Sequence, residues 1–201
     1  MMASLTRRSY DNARRGLFAR DEDACNTAIA DDEEIDTLEV QLDKTGIALM
    51  LRFHPMASDL RNVMTTMKFS INLERIADQS VNIARRSKRL LSRKSVPETA
   101  ELEPLFAETD LMFRDAIRAF ADSDAELALS LKRRDRDLDR NTRNFGERIT
   151  SRMAQDVDNI PTYMDLIFIT RFLERIGDQA KSIGEDTVYA ISAEEVRHSP
   201  A

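Results

Sequence analysis

An all-α protein made of two tandem three-helix bundles is what the sequence predicts, and three observations lead there. The vocabulary for turns and strands is thin: 201 residues hold five Gly, five Pro, no Trp and 6% aromatics, which disfavours sandwiches, barrels and doubly wound sheets. Charged residues at 33% and hydrophobic ones at 42% suit amphipathic helices with one buried and one solvated face. Apolar positions also recur at helical period, in about six stretches separated by Pro, Gly and acidic punctuation. The length suffices for one large domain or two small ones.

The first helix is expected over residues 3–20, after which Asp21, Glu22 and Asp23 supply a turn and an N-cap. A single long helix over 25–53 follows, with Ile35, Leu38, Leu42 and Leu49 on one face, ending before Pro55. The third runs from about Met56 to Arg93, and its closing RRSKRLLSRK places basic side chains where the helix dipole favours them. Pro97 opens a fourth helix to Ala121, and the acidic turn at Asp122 to Asp124 leads into a fifth that reaches Ala154. Pro161 opens the sixth, which extends to Ser192, leaving EEVRHSPA as a frayed tail.

Three helices and then three more suggest duplication. At an offset of 100, LERIADQ at 73–79 matches LERIGDQ at 173–179, and Met64 and Ile83 match Met164 and Ile183. At an offset of 103, DEEID at 32–36 is echoed by DRDLD at 135–139. The chain therefore divides into one three-helix unit over 1–94 and a second over 95–201.

Several classes of function are disfavoured. Thirty basic against 36 acidic residues gives a net charge of −6, a poor match for nucleic acid or an anionic membrane. Cys25 is the single cysteine, which excludes an internal disulfide and fits a reducing cytosol. The basic start lacks an apolar h-region, and no run of 18 apolar residues exists for a membrane span. His54 and His198 lie far apart and read as loop and tail residues.

Chemistry, if any, rests on carboxylates. Asp32 with Asp36, Glu74 with Asp78, Asp135 with Asp139, and Glu174 with Asp178 are four i, i+4 acidic pairs at duplicated positions. Measured from Leu73 on a helical wheel, Glu74 falls at about 100° and Asp78 at about 140°, beside the apolar stripe rather than opposite it. Asp32, Asp36, Glu39 and Asp43 form an acid ridge on the preceding helix. If such ridges face each other across a groove, a cation is the natural way to hold the convergent charge; oxygen ligands favour Mg, Ca or Mn, and iron and zinc also accept carboxylates. The alternative is a set of solvated acids paired with Arg75, Arg171, Arg175 or Lys181. A di-iron oxidase needs Glu-x-x-His, but Ala77 and Gly177 stand where the histidines would be. No Gly-rich phosphate loop and no nucleophile–histidine set occurs, so an enzyme is not expected. The run from Tyr163 to Ile169, apolar nearly all round, fits either a central helix or an association surface.

These motifs resemble the PhoU family of phosphate-uptake regulators. The resemblance is carried by LERIADQSVNIA at 73–84, FLERIGDQAKSI at 172–183, DDEEIDTLEVQLD at 31–43, RFHPMASDLR at 52–61, NIPTYMDLIFITR at 159–171 and the closing VRHSPA. It implies a cytoplasmic, homodimeric negative regulator of the phosphate-starvation response. Such a protein couples a phosphate ABC transporter to a sensor histidine kinase and meets the membrane only through these partners. It also implies a metal cluster, of iron, zinc, manganese or magnesium, on Asp32, Asp36, Glu74, Asp78, Asp135, Asp139, Glu174 and Asp178. A metal-free helical scaffold with solvated acidic pairs is the competing expectation. Departures from the family pattern are Gln79 and Gln179 at a position often held by histidine, and Thr142 and Gly146 where the first unit has Glu39 and Asp43. The Thr142 and Gly146 departures weaken the second site unless Glu185 or Asp186 compensates, and Arg85, opposite Glu185, weakens the first in turn.

Overall fold

A computed structural model describes residues 1–196, so the tail from 197 onward, His198 included, lies outside the described residues. Every regular element among them is helical: α1 (Met2–Phe18), α2 (Glu22–Ala30), α3 (Asp32–Phe53), α4 (Ala57–Leu91), α5 (Glu103–Asp122), α6 (Ala125–Met153) and α7 (Ile160–Ser192). Two caps follow the expected chemistry. The Asp21 carboxylate accepts from the Ala24 N–H and the Asp124 carboxylate from the Leu127 N–H, each at 2.9 Å.

Three local features differ from the sequence expectation. The single helix expected over 25–53 is two, α2 and α3, broken at Asp31, whose buried carboxylate takes both Nε and Nη2 of Arg8 at 2.9 and 2.7 Å. Pro97 opens a 3-10 helix, Pro97–Leu102, before α5, and its buried Glu98 is tied to Arg152 of α6 at 2.7 Å. The C-terminus of α4 is capped from elsewhere, since Arg20 donates to the carbonyls of Leu90, Leu91 and Arg93 at 3.1, 2.7 and 3.0 Å.

The helices α4 and α7 form the centre. Arg86 of α4 pairs with Asp165 of α7, and Lys68 with Asp186, so residue numbers rise along one helix as they fall along the other. The two are antiparallel, and their LERIxDQ motifs lie near the middle of the pair. Helices α1 to α3 gather on α4 and helices α5 and α6 on α7, with one hydrophobic core running through both units. Along α3 the core extends only as far as Gly46, so Leu49, expected on the buried face, is 40% exposed. The apolar run in α7 turns out to be mixed: Tyr163, Leu166 and Ile169 are buried, while Met164 and Phe168 reach the surface, where the Arg86 guanidinium lies 4.0 Å from the Phe168 ring centre.

Close packing of α7 on α6 depends on Gly184. A Cβ there would stand 2.8 Å from the Ala128 carbonyl oxygen and 2.9 Å from Leu131 Cδ1, so a side chain forces the backbones apart. Gly184→Val is expected to destabilise the fold by about 2 kcal/mol, read from the urea midpoint at unchanged slope. An unaltered midpoint would show that the helices separate freely.

Candidate functional site: two unequal acid clusters

The first cluster forms where α3 lies on α4. Asp32, Asp36 and Glu39 on α3 act electrostatically on Glu74 and Asp78 of α4, so the two expected ridges face the same groove. Burial, then Asp78, Asp36 and Glu39, push the Glu74 carboxyl up to about 7, with Arg75 opposing. Asp32 is raised by burial and then by Asp36 and Asp78, against a lowering influence from Arg85. Asp43 is not among the groups acting on Glu74. Among the described residues, no hydrogen bond or ion pair joins the side chains of Asp32, Asp36, Glu74 or Asp78 to a cation.

This has a consequence for stability. Between the ordinary glutamate value of 4.5 and about 7, the folded chain holds a proton that the unfolded chain has released. Stability that depends on Glu74 is therefore complete below 4.5 and lost as pH rises towards about 7. Glu74→Gln is expected to gain about 1–2 kcal/mol on the wild type between about pH 5 and about pH 8, allowing for solvent screening of a partly exposed side chain. Urea unfolding at both pH values tests this; a difference that does not change with pH would mean that Glu74 titrates normally.

The second cluster, where α6 lies on α7, contains its own cation. Lys181 Nζ donates to Asp178 Oδ1 at 2.8 Å and to Asp135 Oδ2 at 2.5 Å. Glu174 is taken by Arg171, whose Nη1 lies 2.7 and 2.9 Å from its two oxygens. The Asp135 side chain is only 5% exposed, and its other oxygen, Oδ1, has no hydrogen-bond partner. A Cβ at Gly177 would lie 2.5 Å from Leu138 Cδ2 and 3.7 Å from that oxygen, so the bare glycine lets α6 come close. Burial alone would depress the Lys181 ammonium, but its hydrogen bonds to Asp135 and Asp178 outweigh this and raise it. Burial pushes Asp135 up and Lys181 pulls it back, and with the ammonium bonded to two carboxylates the ionised pair is the state that the geometry describes. Asp139 adds its charge to Asp135 from one turn away. Asp186 faces α4 and accepts from Lys68 Nζ at 3.0 Å.

The donor chemistry of the first cluster suits a hard cation, being all oxygen and unbalanced by any bonded base. It is not a finished cage: no three His, Cys, Asp or Glu side chains among the described residues are grouped to hold a metal ion. The remaining reactive types stand apart from it. Cys25 is buried and its thiol pushed up to about 11, chiefly by burial, and His54 is an exposed residue with φ 47° after α3.

Sequence reasoning placed Lys181 only as a possible surface partner and missed its bond across to α6; the signal was the alignment itself, which sets Lys181 against Val81. It also missed Asp165, which holds Arg86 and Arg93 of the other unit at 2.7 and 2.6 Å and reads in the sequence merely as an interruption of an apolar run.

The fold and motifs have known counterparts. The family description "PhoU domain" matches residues 1–87 and again 102–187. The chain is 33% identical over 198 residues to a phosphate-specific transport system accessory protein PhoU homolog of Pseudomonas putida, covering 98% of this chain and 77% of that relative. Against the PhoU of Escherichia coli K12 it is 29% identical over 197 residues, covering 98% of this chain and 82% of the other. The crystal structure of PhoU from Pseudomonas aeruginosa superposes with a TM-score of 0.93 at 30% identity, covering 96% of this chain and 93% of that one. These relatives are named as accessory proteins of a phosphate-specific transport system, a name that describes no catalysed reaction. With both units matched and nearly the whole chain aligned, this protein belongs to the PhoU family.

Proposed function

We propose that this chain restrains phosphate uptake and the phosphate-starvation response, acting as an adaptor between a phosphate ABC transporter and a sensor histidine kinase. On this reading it works as a cytoplasmic homodimer, and no helix among the described residues is long and apolar enough to cross a membrane. The observation that carries the reading is the doubled LERIxDQ motif at the middle of the antiparallel α4–α7 pair, in a chain whose relatives are named as phosphate transport accessory proteins. The first acid cluster is its responsive element. Asp32, Asp36, Glu74 and Asp78 would hold a divalent or iron centre whose charge balances carboxylates that otherwise repel one another.

Deleting the gene is expected to switch on a phosphate-starvation reporter in phosphate-rich medium, and wild-type chain supplied in trans to silence it. A reporter that stays silent after deletion would overturn the regulatory reading. A Glu74→Ala, Asp78→Ala chain is expected to fold and yet to lose both silencing and retention on the kinase's cytoplasmic region. Full silencing by that variant would remove the first cluster from the mechanism. A second reading, a metal-free scaffold docking the same partners, draws support from the second cluster, whose Asp135, Asp178 and Glu174 are already paired with Lys181 and Arg171.

A further inference from the structure

We propose that Lys181 is a built-in counter-ion that closes the second acid cluster to metal, so that the chain takes divalent cations through its first cluster alone. The inference rests on the reading of the first cluster as a cation site and assigns the second a different occupant. The two clusters share a backbone plan and acidic pairs at duplicated positions, yet only the second has a bonded base. Lys181 Nζ spans the helix gap, joining Asp178 on its own helix to the buried Asp135 on α6. At the matching place in α4 stands Val81, buried and unable to neutralise anything. Arg171 occupies a third carboxylate, Glu174, through both oxygens.

An incoming divalent cation would meet an ammonium already between two carboxylates. To bind Asp135 and Asp178 together it must expel that ammonium or approach it at close range, and repulsion between like charges is strong in a partly desolvated groove. The first cluster sets no such barrier, since its nearest bases, Arg75 and Arg85, act on it without a bond. The second oxygen of Asp135, buried and without a partner, shows what removing the lysine would uncover.

Mn2+ binding to the full-length, chelator-stripped chain tests this, with bound ion counted by elemental analysis and the free ion followed by electron paramagnetic resonance. Wild-type binding is expected to vanish in Glu74→Gln, Asp78→Asn. Lys181→Val, which installs the residue of the first unit, is expected to raise Mn2+ bound per chain roughly twofold. That gain should be lost again with Asp135→Asn, while Lys181→Arg should stay at the wild-type level. Wild-type binding that survives loss of the first cluster but disappears with Asp135→Asn, Asp178→Asn would overturn the proposal, because the metal would then displace the lysine. So would a folded Lys181→Val chain that gains nothing. If wild type takes no Mn2+ at all, the reading of the first cluster fails; Lys181→Val then decides the lysine's role alone, with a gain supporting it and no gain overturning it. If Lys181→Val fails to fold, the wild-type and aspartate variants still decide between the clusters.

Discussion

Phe106→Ala is expected to destabilise the protein by about 3–5 kcal/mol. Phe106 sits in the first turns of α5 and is fully buried. Its ring centre lies 5.9 Å from that of Tyr10 and 5.2 Å from that of Phe18, both on α1, so one side chain of the second unit is packed by two of the first. Tyr10 also donates its hydroxyl hydrogen to the Phe106 carbonyl at 2.7 Å. Truncation removes apolar burial and leaves a cavity that the surrounding helices, anchored elsewhere, close only in part. For a chain of this length each kcal/mol moves the thermal midpoint by about 2–4 °C, so a fall of roughly 10 °C is expected in calorimetry. Phe53→Ala is the control: at 64% exposure its midpoint should move little, within about 0.5 kcal/mol. Equal shifts in the two variants would show that the core does not run between the units as described.

Asp165→Ala is the second large effect, expected at about 2–4 kcal/mol. The Asp165 side chain is 4% exposed and lies between two guanidiniums, with Arg86 Nη1 of α4 on one oxygen at 2.7 Å and Nη1 of Arg93, just past the end of α4, on the other at 2.6 Å. Arg93 Nη1 also donates to the Pro161 carbonyl at 2.6 Å. Removing the carboxylate leaves two like charges facing an inter-unit contact without their acceptor; their partial exposure keeps the loss below that of a fully buried pair. Asp165→Asn, which keeps the shape and part of the hydrogen bonding, should lose less than alanine. If both variants unfold like wild type in urea, the clamp contributes nothing and the units are held by the core alone.

The helix plan was largely legible because apolar period, Pro and acidic caps are local signals, and local signals place α1, α4, α6 and α7 with small errors at their ends. The break at Asp31 was not legible, since it accompanies a bidentate contact with Arg8 from another helix. The Arg20 cap on α4 was hidden for the same reason, its partners lying 70 residues or more along the chain. Leu49 repeats in register with Ile35 and Leu42, but periodicity says which way a side chain faces and not where a neighbouring helix stops. In the candidate site, the repeat picked out the four acidic pairs, and the helical wheel set Glu74 and Asp78 beside the apolar stripe, where the structure leaves Glu74 half-buried and Asp78 exposed. What the repeat could not assign was the state of each cluster. Val81 and Lys181 hold matching places in the two motifs, and only the distance across to Asp135 turns that difference into a bonded cation in one unit and an uncompensated groove in the other.

One acid cluster is thus balanced from within, and the other is left for a proton or an external cation. A carbon-13 NMR titration of the side-chain carboxylates in metal-free protein, with Glu74 assigned by its absence in Glu74→Gln, tests this most directly. A Glu74 midpoint at about 7 is expected, produced by burial together with Asp78, Asp36 and Glu39. A midpoint near the ordinary value of 4.5 would contradict it, because the first groove would then be as well solvated or as well neutralised as any surface.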